Sequence, residues 1–148
     1  MSIFAIDFDG TITDSHFPEF GNIRPDASRI IQRLVMAGHT VIIWTCRPIN
    51  GHGIEEMEKW LEEKGVPYHG VNENARALKF STGPKIYADI YIDDQSLDFY
   101  EKGIDWNVIE GKFQKLGFLK DKNRYKGKGR YKEENPSLVS KLIRKLSS

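Results

Sequence analysis

The chain has 148 residues, of which 39% are hydrophobic and 29% charged, and its formal net charge is +1. This length and composition indicate a single globular domain with an ordinary core. They exclude an intrachain disulfide, since Cys46 is the one cysteine, and a membrane-spanning helix, since no apolar run approaches the roughly 18 residues that a span needs. Because the first residues also show no signal peptide, we expect a cytoplasmic protein.

The charges are distributed unevenly along the chain. Residues 1–119 contain 12 Lys and Arg against 18 Asp and Glu, a net charge of −6. Residues 120–148 contain 10 against 3, a net charge of +7. We therefore predict a folded domain at 1–119 followed by a basic tail at 120–148, with an amphipathic helix at 137–146 where apolar residues form a stripe.

Five apolar runs rich in β-branched residues predict strands. They cover residues 3–8, 39–45, 66–71, 86–92 and 106–109. Between them, apolar residues recur with a helical period. The predicted helices run from Pro25 to Gly38, from Ile54 to Gly65 and over 95–102, and a short turn precedes Gly117. Strands that alternate with helices predict an α/β fold of the three-layer, Rossmann-like kind, in which a mainly parallel central sheet is covered on both faces.

The first predicted strand ends in the sequence Asp7-Phe8-Asp9-Gly10-Thr11. Side chains alternate along a strand, so Asp7 and Asp9 would share one side of it. One carboxylate could attack phosphorus while the other holds a proton for the leaving group. Gly10 permits a turn beside them, and the Thr11 hydroxyl can bond back to that turn. The alternative is a strand end with two solvated aspartates.

The second predicted strand ends in Thr45-Cys46-Arg47. Because the carboxyl ends of parallel strands lie at one edge of a sheet, these residues are expected close to Asp7 and Asp9. A hydroxyl from Thr45, backbone donors near Cys46 and the guanidinium fork of Arg47 could bind phosphoryl oxygens. The alternative is a strand end with a solvated arginine. The thiol of Cys46 is more consistent with packing than with a nucleophile.

The fourth predicted strand ends in a second acidic pair, Asp93-Asp94. Carboxylate and carbonyl oxygens suit Mg²⁺, so we predict a magnesium site formed by Asp7, the main chain of Asp9 and one member of this pair in direct contact. Asp93 and Asp94 are expected to point in different directions, and the sequence leaves open which of them binds. The alternative is a solvated acidic turn.

A lysine at this edge of the sheet would offset repulsion between a carboxylate nucleophile and a phosphate. Lys85 precedes the fourth predicted strand and is favoured over Lys79, which lies in the loop before it. In the loop after Thr11, Phe17 and Phe20 either line the entrance to the site or pack beneath it, and packing is favoured.

The order of these motifs resembles that of the haloacid-dehalogenase-like (HAD) phosphatases. The sequence at 7–11 is similar to the first family motif, Thr45 to the second and Asp93-Asp94 to the acidic fourth. The resemblance covers about residues 1–110. It implies that 1–119 is a HAD-like catalytic domain that requires Mg²⁺. It also implies that Asp7 is the nucleophile, Asp9 the general acid and base, and Lys85 the lysine of the third motif.

Members of this family often carry a cap domain over the site. Here 13 residues lie between Thr11 and Pro25, and another 13 between Val71 and Lys85. Neither segment is long enough for a folded cap. We therefore expect an open, cap-less site. The resemblance implies that such a site accepts a phosphorylated small molecule or an exposed phosphate ester. Coverage by a second subunit of a homo-oligomer, or by the carboxyl tail, stays an alternative.

These observations favour a Mg²⁺-dependent phosphatase that works through an aspartyl-phosphate. Two alternatives are kept. The first is a polynucleotide 3′-phosphatase, since tyrosines lie among cations at 124–126 and 130–132 of the tail, where bases could stack and phosphates could bind. A solvated linker explains the same composition. The second is a catalytically inactive module that binds nucleic acid or another partner.

Overall fold

The computed structural model describes residues 1–121. The elements in chain order are β1 (Ile3–Ile6), α1 (Ala27–Met36), β2 (Thr40–Ile43), α2 (Ile54–Glu63), β3 (Gly70–Val71), β4 (Ile90–Ile92), α3 (Leu97–Tyr100) and α4 (Trp106–Lys115). Apart from its first two residues, the predicted basic tail lies outside the described residues, and so does its predicted helix at 137–146. Within the described part, no helix has the length and apolar character that crossing a membrane requires.

The strands form one parallel sheet in the order β3-β2-β1-β4. Its register places Ile6 of β1 beside Ile43 of β2 and Ile92 of β4. The connections through α1 and α2 step away from β1 in one direction, whereas the connection after β3 returns past β1 to β4. The strand order therefore reverses at β1 and β4, and ligands bind α/β sheets beyond the carboxyl ends of the strands at such a reversal.

Alternation along β1 assigns its side chains to two separate cores. Phe4 and Ile6 pack with the buried residues of α1, α2 and α4. Ile3 and Ala5 belong to a second cluster with residues from the irregular connection 72–89. A right-handed crossover that reverses direction must pass over the opposite face of the sheet, which accounts for the position of this connection.

The α/β fold with a parallel sheet is confirmed, but its layers differ from the expectation. The helices that bury residues lie on one face among residues 1–121, and an irregular segment covers the other face. This segment contains Ser81-Thr82-Gly83-Pro84, and glycine and proline interrupt a helix. The described third layer is therefore coil, in a segment for which no helix was predicted.

Four of the predicted strands are present in shorter form, and the helix predicted at 95–102 contains α3. The strand predicted at 106–109 is wrong, because these residues form the first turn of α4. The carboxylate of Asp105 caps this helix by accepting hydrogen bonds from the backbone N–H groups of Asn107 (2.9 Å) and Val108 (3.3 Å). Satisfying these otherwise unpaired donors favours helix at this point.

The buried face of α4 explains why the short apolar run was misleading. Trp106, Ile109 and Phe113 are buried and recur every three or four residues. That period becomes visible only over the whole helix, whereas four residues read in isolation also suit a strand. The turn predicted before Gly117 is the end of the same helix.

Candidate active site at the reversal of strand order

Three carboxylates converge where β1 and β4 end. The backbone N–H of Asp7 donates to the carbonyl of Ile92 over 2.9 Å, so the two strands stay paired up to the point where the acidic residues begin. Asp7, Asp93 and Asp94 each offer a carboxylate oxygen, and these oxygens lie within 4.8 Å of one another. All three residues are half-buried. Both members of the second acidic pair thus face the cluster, whereas the sequence prediction expected one.

Thr11 connects the two strand ends. Its hydroxyl donates to Oδ2 of Asp7 over 2.9 Å and accepts from the backbone N–H of Asp94 over 3.0 Å. Its carbonyl accepts a hydrogen bond from Nε1 of Trp106 over 2.9 Å. Thr11 is fully buried, so these contacts do not compete with water. The Thr11 hydroxyl thus acts as donor and as acceptor at once, and its bond to Oδ2 holds Asp7 in one orientation.

Gly10 allows the two acidic segments to approach each other. Its φ is 76°, in the left-handed region that favours glycine. A Cβ at this position would lie 2.3 Å from Oδ2 of Asp94 and 2.8 Å from Cε1 of His16. A Cβ at either distance would force Asp94 or His16 to move. Glycine therefore suits both the turn and the closeness of Asp94.

Burial and the nearness of like charges raise the pKa of two carboxyl groups in the cluster. Burial is the main cause that raises the pKa of Asp7 to about 8, and the charge of Asp93 is the next cause, while the hydrogen bond from Thr11 opposes the shift. The pKa of Asp94 is also raised, first by burial and then by Asp93. A cation bound among these carboxylates would take the place of a retained proton.

The donors fit a hard divalent cation such as Mg²⁺. All three are carboxylates, and Mg²⁺ prefers oxygen ligands while keeping part of its water shell. Soft thiolate or imidazole ligands are absent from this cluster. Asp7, Asp93 and Asp94 are thus the residues that would hold the ion.

The metal contact predicted for Asp9 involves its main chain, and its side chain has a separate partner. Its carboxylate is outside the cluster and is paired with Arg47, whose Nη2 lies 2.7 Å from Oδ1 and whose Nε lies 3.0 Å from Oδ2. The side chain of Asp9 is 18% exposed. Asp9 therefore lies beside the acidic cluster with a cation already bound to it.

The expectation that Arg47 offers an open fork to a phosphoryl group is corrected by this arrangement. Its side chain is fully buried, and its remaining contacts are with the carbonyls of His52 and Glu19, each at 2.5 Å. Phe17 and Phe20 lie against the guanidinium, at 5.4 and 4.1 Å from ring centroid to Cζ. The two phenylalanines therefore pack around a charged group. These contacts are needed because a buried guanidinium is destabilising unless its N–H donors have hydrogen-bond partners.

Thr45 lies at the same edge of the sheet and is held by Asn72. The backbone N–H of Thr45 donates to Oδ1 of Asn72, and Nδ2 of Asn72 donates to the Thr45 carbonyl, both over 2.8 Å. The Thr45 hydroxyl accepts from the backbone N–H of Arg47 over 3.1 Å. Cys46 is exposed, so the expectation that it packs in the interior is wrong. The turn after β2 directs its side chain outward.

The two candidate lysines are both exposed. The ammonium group of Lys85 lies 4.7 Å from the centroid of the Tyr91 ring. Among the ion pairs of residues 1–121, none joins Lys85 or Lys79 to an aspartate of the cluster. In this arrangement Lys85 packs on an aromatic ring at the sheet edge.

Two residues support the site although no role in it was predicted for their side chains. Trp106 donates to Thr11 across 95 positions of the chain, and it was expected in a strand. Asn72 adopts a positive φ of 53°, which lets its amide bridge the backbone of Thr45. Thr45 follows β2 and Asn72 follows β3, and the parallel pairing of these two strands brings the two segments together.

The fold and the cluster define an α/β protein with an acidic site at the reversal of strand order. Among solved structures, the chain is similar to a conserved protein from Bacteroides thetaiotaomicron, with 28% sequence identity and a TM-score of 0.66. The similarity covers 78% of this chain and 91% of that protein, and its description names no activity. No family model and no curated protein matches the chain.

Proposed function

We propose that the protein is a Mg²⁺-dependent phosphatase that hydrolyses a phosphate monoester through a phosphorylated Asp7. The observation that carries the proposal is the convergence of Asp7, Asp93 and Asp94 where the strand order reverses. The motif order that resembles HAD phosphatases supports the same function. A nucleophilic carboxylate beside two cation-binding carboxylates suits phosphoryl transfer, in which positioning and charge stabilisation supply most of the catalysis.

In the proposed reaction, an oxygen of Asp7 attacks phosphorus and the bond from phosphorus to the ester oxygen breaks. Asp9 gives a proton to that oxygen as the alcohol leaves. Water then attacks the phosphorus of the aspartyl-phosphate, Asp9 takes the proton of the water, and inorganic phosphate leaves Asp7 free again. Mg²⁺ held by the cluster supplies positive charge that offsets the charge of the phosphoryl group.

Other residues at this edge have proposed supporting roles. The Thr11 hydroxyl holds Oδ2 of Asp7, which orients the carboxylate for attack. The Thr45 hydroxyl accepts from Arg47, so its own proton is available for a phosphoryl oxygen. Lys85 has a flexible stem and would add positive charge by swinging away from Tyr91.

The test is a panel of phosphate esters, from sugar phosphates to nucleotides and oligonucleotide 3′-phosphates, assayed with the full chain in Mg²⁺ and in EDTA. We expect hydrolysis that EDTA abolishes. Asp7→Asn should lower the rate at least about a thousandfold, and Asp9→Asn should also lower it strongly. Asp98→Asn, which changes an exposed aspartate of α3, is the matched control and should leave the rate unchanged. Full activity in Asp7→Asn would refute the proposal.

A second candidate is a cation-binding module without turnover. The observation that favours it is the ion pair with Arg47, which engages both oxygens of Asp9, the proposed proton carrier. The net charge of +7 over residues 120–148 makes nucleic acid the partner to test. Binding of an oligonucleotide in Mg²⁺, with no hydrolysis of any ester in the panel, would support this candidate over the phosphatase.

A further inference from the structure

The guanidinium of Arg47 contacts three separate loops at the carboxyl edge of the sheet. It pairs with Asp9 in the loop after β1. It donates to the carbonyl of Glu19 in the loop bridged by Thr13 and Ile23, and to the carbonyl of His52 before α2. One side chain therefore joins the loop that carries Asp9 to two other loops.

Burial of the charged Arg47 side chain destabilises the fold unless all of its hydrogen-bond donors have partners. Its side chain has no exposed surface, and removing a charged group from water requires a partner and filled hydrogen-bond donors. The rings of Phe20, Phe8 and Phe17 lie 4.1, 5.1 and 5.4 Å from its Cζ. Arginine suits this position because its planar fork binds a carboxylate with two donors while aromatic rings stack on it.

The contacts with Asp9 are unequal at the two carboxylate oxygens. Oδ1 accepts from Nη2 over 2.7 Å and from Nε over 3.2 Å, whereas Oδ2 accepts from Nε alone, over 3.0 Å. A carboxylate oxygen has two lone pairs. Oδ2 therefore keeps the greater capacity for a contact with a substrate oxygen.

We infer that Arg47 is a positioning residue that holds the Asp9 carboxylate with Oδ2 toward the leaving group. It also ties the loops that contain Glu19 and His52 to Asp9. The role of Asp9 in this inference rests on the proposed function. Arg47 acts through Asp9 and through the loops, and it does not touch the phosphoryl group.

The first experiment compares two substrates in Arg47→Lys. A p-nitrophenolate leaves as a stable anion and needs little help from an acid, whereas an alkoxide needs a proton. We expect the loss in kcat for an alkyl phosphate to exceed the loss for p-nitrophenyl phosphate by about tenfold, with KM nearly unchanged. Arg33→Lys makes the same substitution at an arginine of α1 that is ion-paired with Glu110, and it is the matched control. Equal losses for both substrates would overturn the inference, because a merely structural defect does not distinguish leaving groups.

The second experiment does not depend on activity. Hydrogen exchange measured by mass spectrometry should become faster in segments 13–23 and 48–53 of Arg47→Lys, and should stay unchanged in Arg33→Lys. Unchanged exchange in both segments would overturn the inference. If the wild type hydrolyses no ester, the proposed function fails, and the exchange result alone decides whether Arg47 ties the loops.

A milder variant keeps the inference testable if Arg47→Lys does not fold. Phe20→Leu removes the ring nearest to the guanidinium and leaves the ion pair with Asp9 in place. It should produce the same preference between substrates and the same faster exchange, each to a smaller extent. Wild-type behaviour in both measurements would contradict the inference.

Discussion

The backbone N–H of Asp94 donates to Oγ1 of Thr11 over 3.0 Å, although 83 positions of the chain separate the two residues. Because the same hydroxyl donates to Oδ2 of Asp7, the end of β4 and the end of β1 are held by one buried side chain. The geometry of the acidic cluster therefore depends on a residue that need not contact a cation itself.

Removal of this hydroxyl should loosen the cluster. Thr11→Val keeps the shape of the side chain but leaves the N–H of Asp94 and the carboxylate of Asp7 without this partner. We expect the free energy of unfolding to fall by about 1–3 kcal/mol, and Mg²⁺ affinity to fall as well. Urea denaturation and a Mg²⁺ titration measure the two effects. Thr40→Val in β2 is the control, and an equal effect of both substitutions would contradict the role of Thr11.

A comparison of two glycines with positive φ distinguishes the cost of backbone strain from the cost of a steric clash at the site. Gly10 and Gly38 have φ values of 76° and 87°, but a Cβ meets Asp94 only at Gly10 and meets nothing within 4 Å at Gly38. Gly38→Ala should cost about 1–2 kcal/mol of strain. Gly10→Ala should cost a further 1–3 kcal/mol, roughly, because of the added clash, and should weaken Mg²⁺ binding. Thermal and urea unfolding measure both costs. If the two substitutions cost the same, Asp94 moves away from the added Cβ without a penalty.

The raised pKa of Asp7 predicts how stability depends on pH without metal. Between about pH 4 and pH 8, the folded state keeps a proton that the unfolded state has released, since burial and Asp93 raise the pKa to about 8. Stability should therefore fall as the pH rises through this window, by at most about 1.4 kcal/mol per pH unit.

Thermal unfolding in EDTA across this pH range tests the sign of the effect. The Tm of the wild type should decrease toward pH 8, and Asp7→Asn should flatten the slope because it removes the group that holds the proton. Mg²⁺ should raise the Tm more at pH 8 than at pH 5, since at the lower pH protons compete with the ion for the carboxylates. A Tm in EDTA that rises between pH 5.5 and 8 would contradict the shift assigned to Asp7.

A buried glutamate on α4 should contribute to stability and not to activity. Glu110 is 4% exposed and accepts from Nη1 and Nη2 of Arg29, over 2.8 and 3.1 Å, and from Arg33. The hydrogen bond with Glu110 is the main cause that raises the pKa of Arg29. Because both arginines are partly exposed, Glu110→Gln should cost about 1–3 kcal/mol, below the range for a fully buried pair.

Urea denaturation measures this cost, and the phosphatase assay should change by less than about twofold, since Glu110 stabilises the packing of α1 on α4. Glu63→Gln, at the exposed end of α2, is the control and should leave both quantities unchanged. A large loss of activity with unchanged stability would contradict the structural role of Glu110.

The sequence predicted the parts of the fold that depend on local patterns. Apolar runs located four strands, and the spacing of apolar residues located α1 and α2, because these signals lie within about ten neighbouring residues. The strand predicted at 106–109 failed because the helical period of α4 extends beyond that run and its start depends on the cap at Asp105. The irregular layer over the second face was missed because burial of 72–89 follows from the reversal of the crossover.

The sequence by itself determined that acidic residues follow β1 and β4 and that parallel strands bring such residues to one edge. Only the tertiary structure decided which side chains pair there. Arg47 binds Asp9 across 38 positions, and Thr11 binds Asp94 across 83. Such pairs depend on sheet register, on burial and on which donors lack other partners, and these properties exist only after distant segments have packed together.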